Sequence, residues 1–421
     1  MNLCARITPC DSLFLPDGRP FNQDDEGLAA AESVFPPMPN LLAACIRSTI
    51  ASVLGAATPT LRKWHADQAV NLPAARGATF RQVVGDGSDW GGLRIRRVWI
   101  VGSDERRYLA APLTITNAHE AASRLTYTRV SAPERPAESG FSTDLGDDLG
   151  CFQALQGHDG YAYHLLGETD FAKLTTSPAA PLADGSMLDT GKLFPTETYV
   201  GLALSAQKMQ APGRLYAAGH LRAWVDRDDG PSAFEVEFAL ENEASVVGEA
   251  LVAASAHGGA PLAGMLGGRG RAVEIRFREP RARPKTLDDA CVAPLSGNLL
   301  IYALAPLIVD GGQTAALRRG ESFLGCKGVR LTSVVMNRAQ RFSAWDLDSR
   351  GRSAWVWVVP AGAVFACTLD DEDAEQPLRK RLSECGLNLL PDVDAQRYRI
   401  MGFGDCAIGV PPSRDDGRGT T

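Results

Sequence analysis

From Asn2 to Thr8 the chain alternates, with Leu3, Ala5 and Ile7 on one side and Asn2, Cys4, Arg6 and Thr8 on the other. A period of two predicts a half-buried strand. The period changes after Phe35-Pro36-Pro37-Met38-Pro39-Asn40, where Leu42, Ile46, Thr49, Ile50 and Val53 recur on one helical face. Asn40 as N-cap and Gly55 as C′ residue would bracket that helix. Between strand and helix lies Asp11-Ser12-Leu13-Phe14-Leu15-Pro16-Asp17-Gly18-Arg19-Pro20-Phe21, a turn flanked by apolar residues with one arginine at its tip. Phe14 and Phe21 are expected to fill core space and Pro20 to fix the turn. Residues 92–101 and 107–113 predict a hairpin, and 199–204, 213–222 and 233–240 predict further strands. Over 269–278, Val273, Ile275 and Phe277 oppose Glu274, Arg276 and Arg278, again with period two. Segments 343–347 and 353–362 are expected to pair through a tip bearing arginines. Leu378, Leu382 and Cys385 line a short helix at 375–386, and a last strand is read at 397–401. Residues 131–150 lack periodicity and read as an exposed excursion.

Strand, helix and hairpin, then more strands, a helix and a last strand, predict an α+β protein with helices on one face of antiparallel sheets. Two ferredoxin-like βαββαβ units with insertions fit that order. The first is expected over 1–195, with an insertion near 131–190, and the second over 196–421, carrying the glycine-rich loops. No period of 20 to 50 residues marks a solenoid.

The 421 residues are 45% hydrophobic and 22% charged, values of a globular chain. Lysine and arginine number 43 and the acids 50, a balance of −7, so a nucleic-acid partner would have to meet a local basic surface. Such surfaces are suggested at 265–283 and 318–341, both rich in arginine, against acidic stretches at 138–159 and 226–243. Nine cysteines without a CxxC pair argue for reduced cytosolic thiols and against a zinc site or a disulfide framework. No signal peptide or bilayer span is recognisable, and a soluble, cytoplasmic protein without cofactor or metal is expected.

Catalytic patterns are not found. His65, His119, His158, His164, His220 and His257 lack metal-ligand spacing, Gly191-Lys192 has no preceding glycine loop, and no GxSxG elbow is present. Gly402-Phe403-Gly404-Asp405-Cys406-Ala407-Ile408-Gly409 begins like a dinucleotide fingerprint, but Pro411-Pro412 leaves no room for the helix that fingerprint requires. What remains is a glycine loop at a strand end, whose exposed amides could approach a sugar-phosphate backbone. Leu266-Gly267-Gly268-Arg269-Gly270-Arg271-Ala272 is a second such loop.

Taken together, these segments resemble a known family, subunit three of the type III-B CRISPR (Cmr) effectors, in the RAMP superfamily. The matching stretches are DSLFLPDGRPF, FPPMP entering a helix with internal Arg47, ETYVGLAL (197–204), GRLYAAGHLR (213–222), LGGRGRA (266–272), WDL…VPAG (345–362) and GFGDCAIG (402–409). Pro16, the Ala44-Cys45 pair and Asp405 depart from the family pattern, and an acid beside a phosphate would repel it. The resemblance implies two ferredoxin-like domains and a subunit without catalytic activity. It also implies a grip on the repeat-derived 5′ tag of crRNA, and docking onto the large polymerase/nuclease subunit and the first backbone RAMP subunit. By match to the family pattern the expected RNA contacts are Arg19, Arg47, Arg269, Arg271, Gly402 and Gly404, with Lys208 and Arg214 flanking a hairpin. The expectation is a single cationic cradle formed by these residues. The rival readings are a RAMP endoribonuclease that matures guide precursors, for which His65 lies beyond the first helix, and a purely protein-bridging scaffold.

Overall fold

The computed structural model describes residues 1–16, 29–55, 67–71, 77–86, 89–117, 127–129, 164–177, 187–204, 210–225, 230–255, 260–268, 270–287, 297–310, 322–343, 345–346, 351–352, 355–370 and 372–410. Four strands form the centre of the first sheet: β1 (Asn2–Pro9), β2 (Leu93–Val101), β3 (Ala233–Leu240) and β4 (Arg271–Arg278). They lie in the order β4-β1-β3-β2, every pair antiparallel. Leu262–Leu266 extends the sheet beyond β4, and Arg107–Ala110, His164–Gly167 and Met187–Asp189 extend it beyond β2, giving eight strands.

The alternation read in β1 and β4 directs one face of this sheet at the helices α1 (Pro39–Val53) and, later in the chain, α3 (Gly248–Ala254). Leu3, Ala5, Ile7, Val236, Phe238, Ile275 and Phe277 meet Leu42, Ile46, Ile50 and Leu251 there. Burying each such side chain is worth about 1.5–3 kcal/mol, so this face carries much of the stability of the unit. The alternation of β1 is seen in the structure: Leu3, Ala5 and Ile7 are buried, whereas Asn2 is exposed and Arg6 and Thr8 are partly buried; Cys4, on that second face, is the exception and is buried as well. The helix starts two residues earlier than expected. Met38 is the cap residue, without a side-chain cap bond, and Pro39 takes the first helical position, where its fixed φ and missing N–H cost nothing. Asn40 is therefore inside the first turn, whereas Gly55 closes the helix end with φ +92°, as expected.

A second sheet is made of β5 (Asn298–Ala303), β6 (Val329–Val335), β7 (Val364–Leu369) and β8 (Cys406–Gly409), in the order β6-β7-β5-β8. Its first, third and last strands occupy the same relative places as in the first sheet. Helices α4 (Glu375–Cys385) and α5 (Asp392–Ile400) follow β7, and Leu378 and Leu382 join Leu299, Ile301 and Phe365 in its core. The other face of β5, β7 and β8 presents Leu300, Tyr302, Val364 and Ala366. These pack on Trp99, Leu109, Leu166 and Phe171, the last from α2 (Glu168–Thr176). This third core joins the two sheets.

Three expectations change. Strands from both sides of residue 195 pair within one sheet, so the division expected there falls inside that sheet, and the chain passes to the second sheet only after Arg278. Segment 397–401 is the last turn of α5 and its C-cap Met401, because five alternating residues are too few to separate the two periods. Asp392 and Asp394 in its first turn, Arg397 and Arg399 in its last, and Gly402 beyond are the signals of a helix. The hairpin near 350 forms with its pairing reaching back to 340, since Phe342 faces Val356 and Trp345 faces Arg352. The 131–150 excursion lies outside the described residues. No helix among the described residues is long and apolar enough to cross a membrane.

Candidate nucleic-acid interface

The opening segment leaves β1 and is laid against two distant elements. Cys10 donates to the Ala272 carbonyl at 3.1 Å, and Leu13 exchanges backbone bonds of 2.7 and 2.8 Å with Leu221. Leu221 ends the strand Gln210–Leu221, which pairs with Thr196–Leu204 in a three-stranded ribbon. The Ser33 hydroxyl accepts from Leu15 N at 3.0 Å and donates to Gly219 O at 2.7 Å. Leu13 and Leu15 are thereby buried, while Phe14 between them points the other way, half-buried. Its carbonyl accepts from Gly268 N at 2.7 Å. Gly267 has φ +76°, and a Cβ there would come within 2.4 Å of the Phe14 oxygen, so this approach requires glycine.

Around Phe14 four segments contribute to one cluster. Phe14 stacks on His220 with ring centroids 5.2 Å apart, and Tyr199 covers His220 at 4.3 Å. Glu197 stands opposite His220 in the ribbon and Tyr199 opposite Ala218, which puts Tyr199 and His220 on one face as a diagonal pair. Arg271, at the start of β4, donates to Asp11 Oδ2 at 2.7 Å and to His220 Nδ1 at 3.3 Å, with its guanidinium 5.8 Å from the Tyr199 ring centre. Ser12 Oγ lies 3.2 Å from His220 Nδ1, and the Tyr199 hydroxyl donates to Glu197 at 2.9 Å. His220 is 1% exposed and Tyr199 41%, so a buried imidazole underlies an accessible ring. An exposed aromatic face beside a guanidinium suits an unstacked base and its phosphate. Ser33 also lines a cleft of about 670 Å³ bounded by Glu32, Phe35, Met38, Gln340 and Arg341, the last stacked 5.0 Å over Trp357.

Of the residues expected to bind RNA, Arg271 is in this cluster. Arg19, Arg269 and Lys208, with Phe21 and His65, lie outside the described residues; Arg214 belongs to the strand Gln210–Leu221, its side chain outside the description. Arg47 lies with its guanidinium 4.9 Å over the Trp90 ring. Gly402 and Gly404 do not offer exposed amides. Both are buried, and their N–H groups donate to the carbonyls of Arg399 and Pro306 at 2.9 and 2.8 Å. Of the expected cradle, the described residues place Arg271 at this cluster and the 402–404 turn away from it, in the interior.

Asp405 is likewise not poised against a phosphate. It is buried where the two sheets meet, taking Arg97 Nε at 2.6 Å and Arg399 Nη2 at 3.3 Å. Burial pushes its carboxyl up, but the two guanidiniums outweigh burial and hold it below the usual carboxylate range. The basic run at 265–283 meets the acidic run at 226–243 in space. Arg278 pairs with Glu235, Arg283 with Glu237 at 2.5 Å, and Arg281 with Glu105 at 2.8 Å. Segregated along the chain, these charges neutralise one another across β3 and β4, so they are not the basic surface their sequence suggested. Sequence reasoning missed Tyr199 and His220. Their signal was present in ETYV and GHLR, but only strand register puts the two rings on one face.

The sequence pattern described as CRISPR-associated protein (Cas_Cmr3) matches residues 5–411. No curated protein sequence matches the chain. A chain of the cryo-EM structure of the Type III-B Cmr-beta bound to cognate target RNA and AMPPnP, state 1, is 10% identical, with TM-score 0.51 over 95% of this chain and 94% of that one. A chain of the Type III-B Cmr-beta bound to cognate target RNA is 11% identical, covering 96% and 95%, with TM-score 0.49. The first likeness is one of fold.

Proposed function

Because the chain belongs to the CRISPR-associated Cas_Cmr3 family, we propose that it is a non-catalytic RNA-binding subunit of a type III-B CRISPR (Cmr) effector, gripping the 5′ repeat tag of crRNA. The observation that carries this reading is the convergence of Phe14, Tyr199, His220 and Arg271 on one partly accessible face. A fixed single-stranded tag is held by stacking on such rings and by guanidinium contacts to its phosphates. The strand order common to both sheets, with helices following the first and third strands in the first sheet and the third in the second, supports two ferredoxin-like RAMP units. Membership of the Cas_Cmr3 family supports a place in a multi-subunit, RNA-bound complex, and docking onto the large polymerase/nuclease subunit and the first backbone RAMP subunit, in the cytoplasm, is part of the proposal.

The test is purification of the complex through a tag on this chain, followed by binding of single-stranded RNA carrying the repeat 5′ sequence. A guide RNA with a defined 5′ end should copurify. Tyr199→Ala and Arg271→Ala should each weaken binding by about tenfold, the scale of one lost stacking or charged contact. Arg271→Ala should also reduce the salt slope by about 0.7. Unchanged affinity in both variants and a flat salt response would favour the protein-bridging scaffold. A specific cut in repeat RNA without metal would favour the endoribonuclease.

A further inference from the structure

His220 is the centre of the cluster although its exposure is only 1%. It is sandwiched between Phe14, whose ring is within 21° of parallel, and Tyr199, tilted by 38°. A buried histidine between two rings could be mere packing. What distinguishes this one is the identity of its polar neighbours. Arginine has five N–H donors and no acceptor, so the guanidinium 3.3 Å from Nδ1 requires that nitrogen to accept. The ring is then neutral, with its proton on Nε2. Ser12 Oγ lies 3.2 Å from the same nitrogen and donates to the Tyr199 hydroxyl at 3.4 Å, so it links the imidazole and the tyrosine. The charged groups around this contact are Asp11, which binds Arg271 at 2.7 Å, and Glu197, which holds the Tyr199 hydroxyl at 2.9 Å.

We propose that His220 is a positioning residue: as a neutral imidazole accepting at Nδ1, it fixes the Arg271 guanidinium and the Tyr199 ring in the arrangement that receives a base and its phosphate. This rests on the reading above that the face binds single-stranded RNA. Asp11 and Nδ1 between them hold two edges of the guanidinium, so its side-chain freedom is already spent before a phosphate arrives. Tyr199 is similarly set by the ring beneath it. Preorganisation of this kind raises affinity without any contact between His220 and the RNA.

Substitutions that place an acceptor at different points of the ring decide it. Asparagine carries its amide oxygen where Nδ1 stands, glutamine carries it nearer Nε2, and phenylalanine keeps the ring stack but has no acceptor. With the full chain and a labelled single-stranded RNA of the repeat 5′ sequence, His220→Asn should stay within about threefold of the unaltered protein. His220→Gln and His220→Phe should lose on the order of tenfold, one charged hydrogen bond's worth. Nitrogen NMR of the histidine-labelled, unaltered protein should report Nδ1 without a proton at neutral pH, with no substitution needed. A protonated Nδ1, or an affinity in His220→Phe equal to that of the unaltered protein, would overturn the positioning role. So would His220→Asn losing as much as His220→Phe with both folded to the same melting temperature. If Tyr199→Ala and Arg271→Ala leave affinity unchanged, the RNA reading itself fails, whatever the imidazole does.

Discussion

Two glycine loops in this chain look alike on paper and do opposite things. Both follow regular elements, both place two glycines near an arginine or an acid, and both have positive φ, +76° at Gly267 and +98° at Gly402. The 266–271 turn is at the margin of the first sheet, where it receives the Phe14 carbonyl and leads Arg271 to an accessible tyrosine. The 402–404 turn is sealed between the sheets, where a Cβ on Gly402 would meet Ile95 at 2.8 Å, and it delivers Asp405 to Arg97 and Arg399. Glycine provides close approach in both places. What approaches, backbone at a rim or a carboxylate in a core, is decided by the neighbours.

The largest effect should come from breaking the buried loop. Asp405→Ala strands Arg97 and Arg399 without their carboxylate, and losing one partner of a buried pair costs about 3–5 kcal/mol. Urea denaturation should show that loss, while RNA affinity of the folded protein stays unchanged; a stability loss below about 1 kcal/mol would mean the contact is not the junction's anchor. The same pair gives a pH dependence. The folded carboxyl lies below its unfolded value, so its contribution is complete above the ordinary aspartate range near 4 and disappears as pH falls through the lower folded value.

At the rim, Gly267→Ala should cost less stability, about 1–3 kcal/mol for a non-glycine residue at that φ, and should weaken RNA binding by displacing Phe14. Retained affinity would separate the turn from the site. The smallest effect is expected from Asp11→Asn, which weakens one of the two contacts holding the Arg271 guanidinium in a partly exposed pair. Affinity for single-stranded RNA should fall by about threefold, the scale of a surface ion pair. A rise would mean that Asp11 competes with phosphate for Arg271 more than it orients it.

What the sequence determined by itself was local. Alternation in β1 and β4 assigned their core faces, helical spacing placed α1 and α4, and Gly55 marked a helix end, because each depends on residues a few positions apart. Periodicity failed at 397–401, where five residues were too few to tell the strand period from the helical one. Only the tertiary structure decided which strands pair, that the arginines of 278–283 are spent on Glu105, Glu235 and Glu237, and that Arg271 pairs with Asp11 beside Tyr199 instead. Arg271 and Asp11 are 260 residues apart, Arg97 and Asp405 308. Contacts over such separations follow from sheet register and the packing of two faces, and neither is written in any short stretch of the chain.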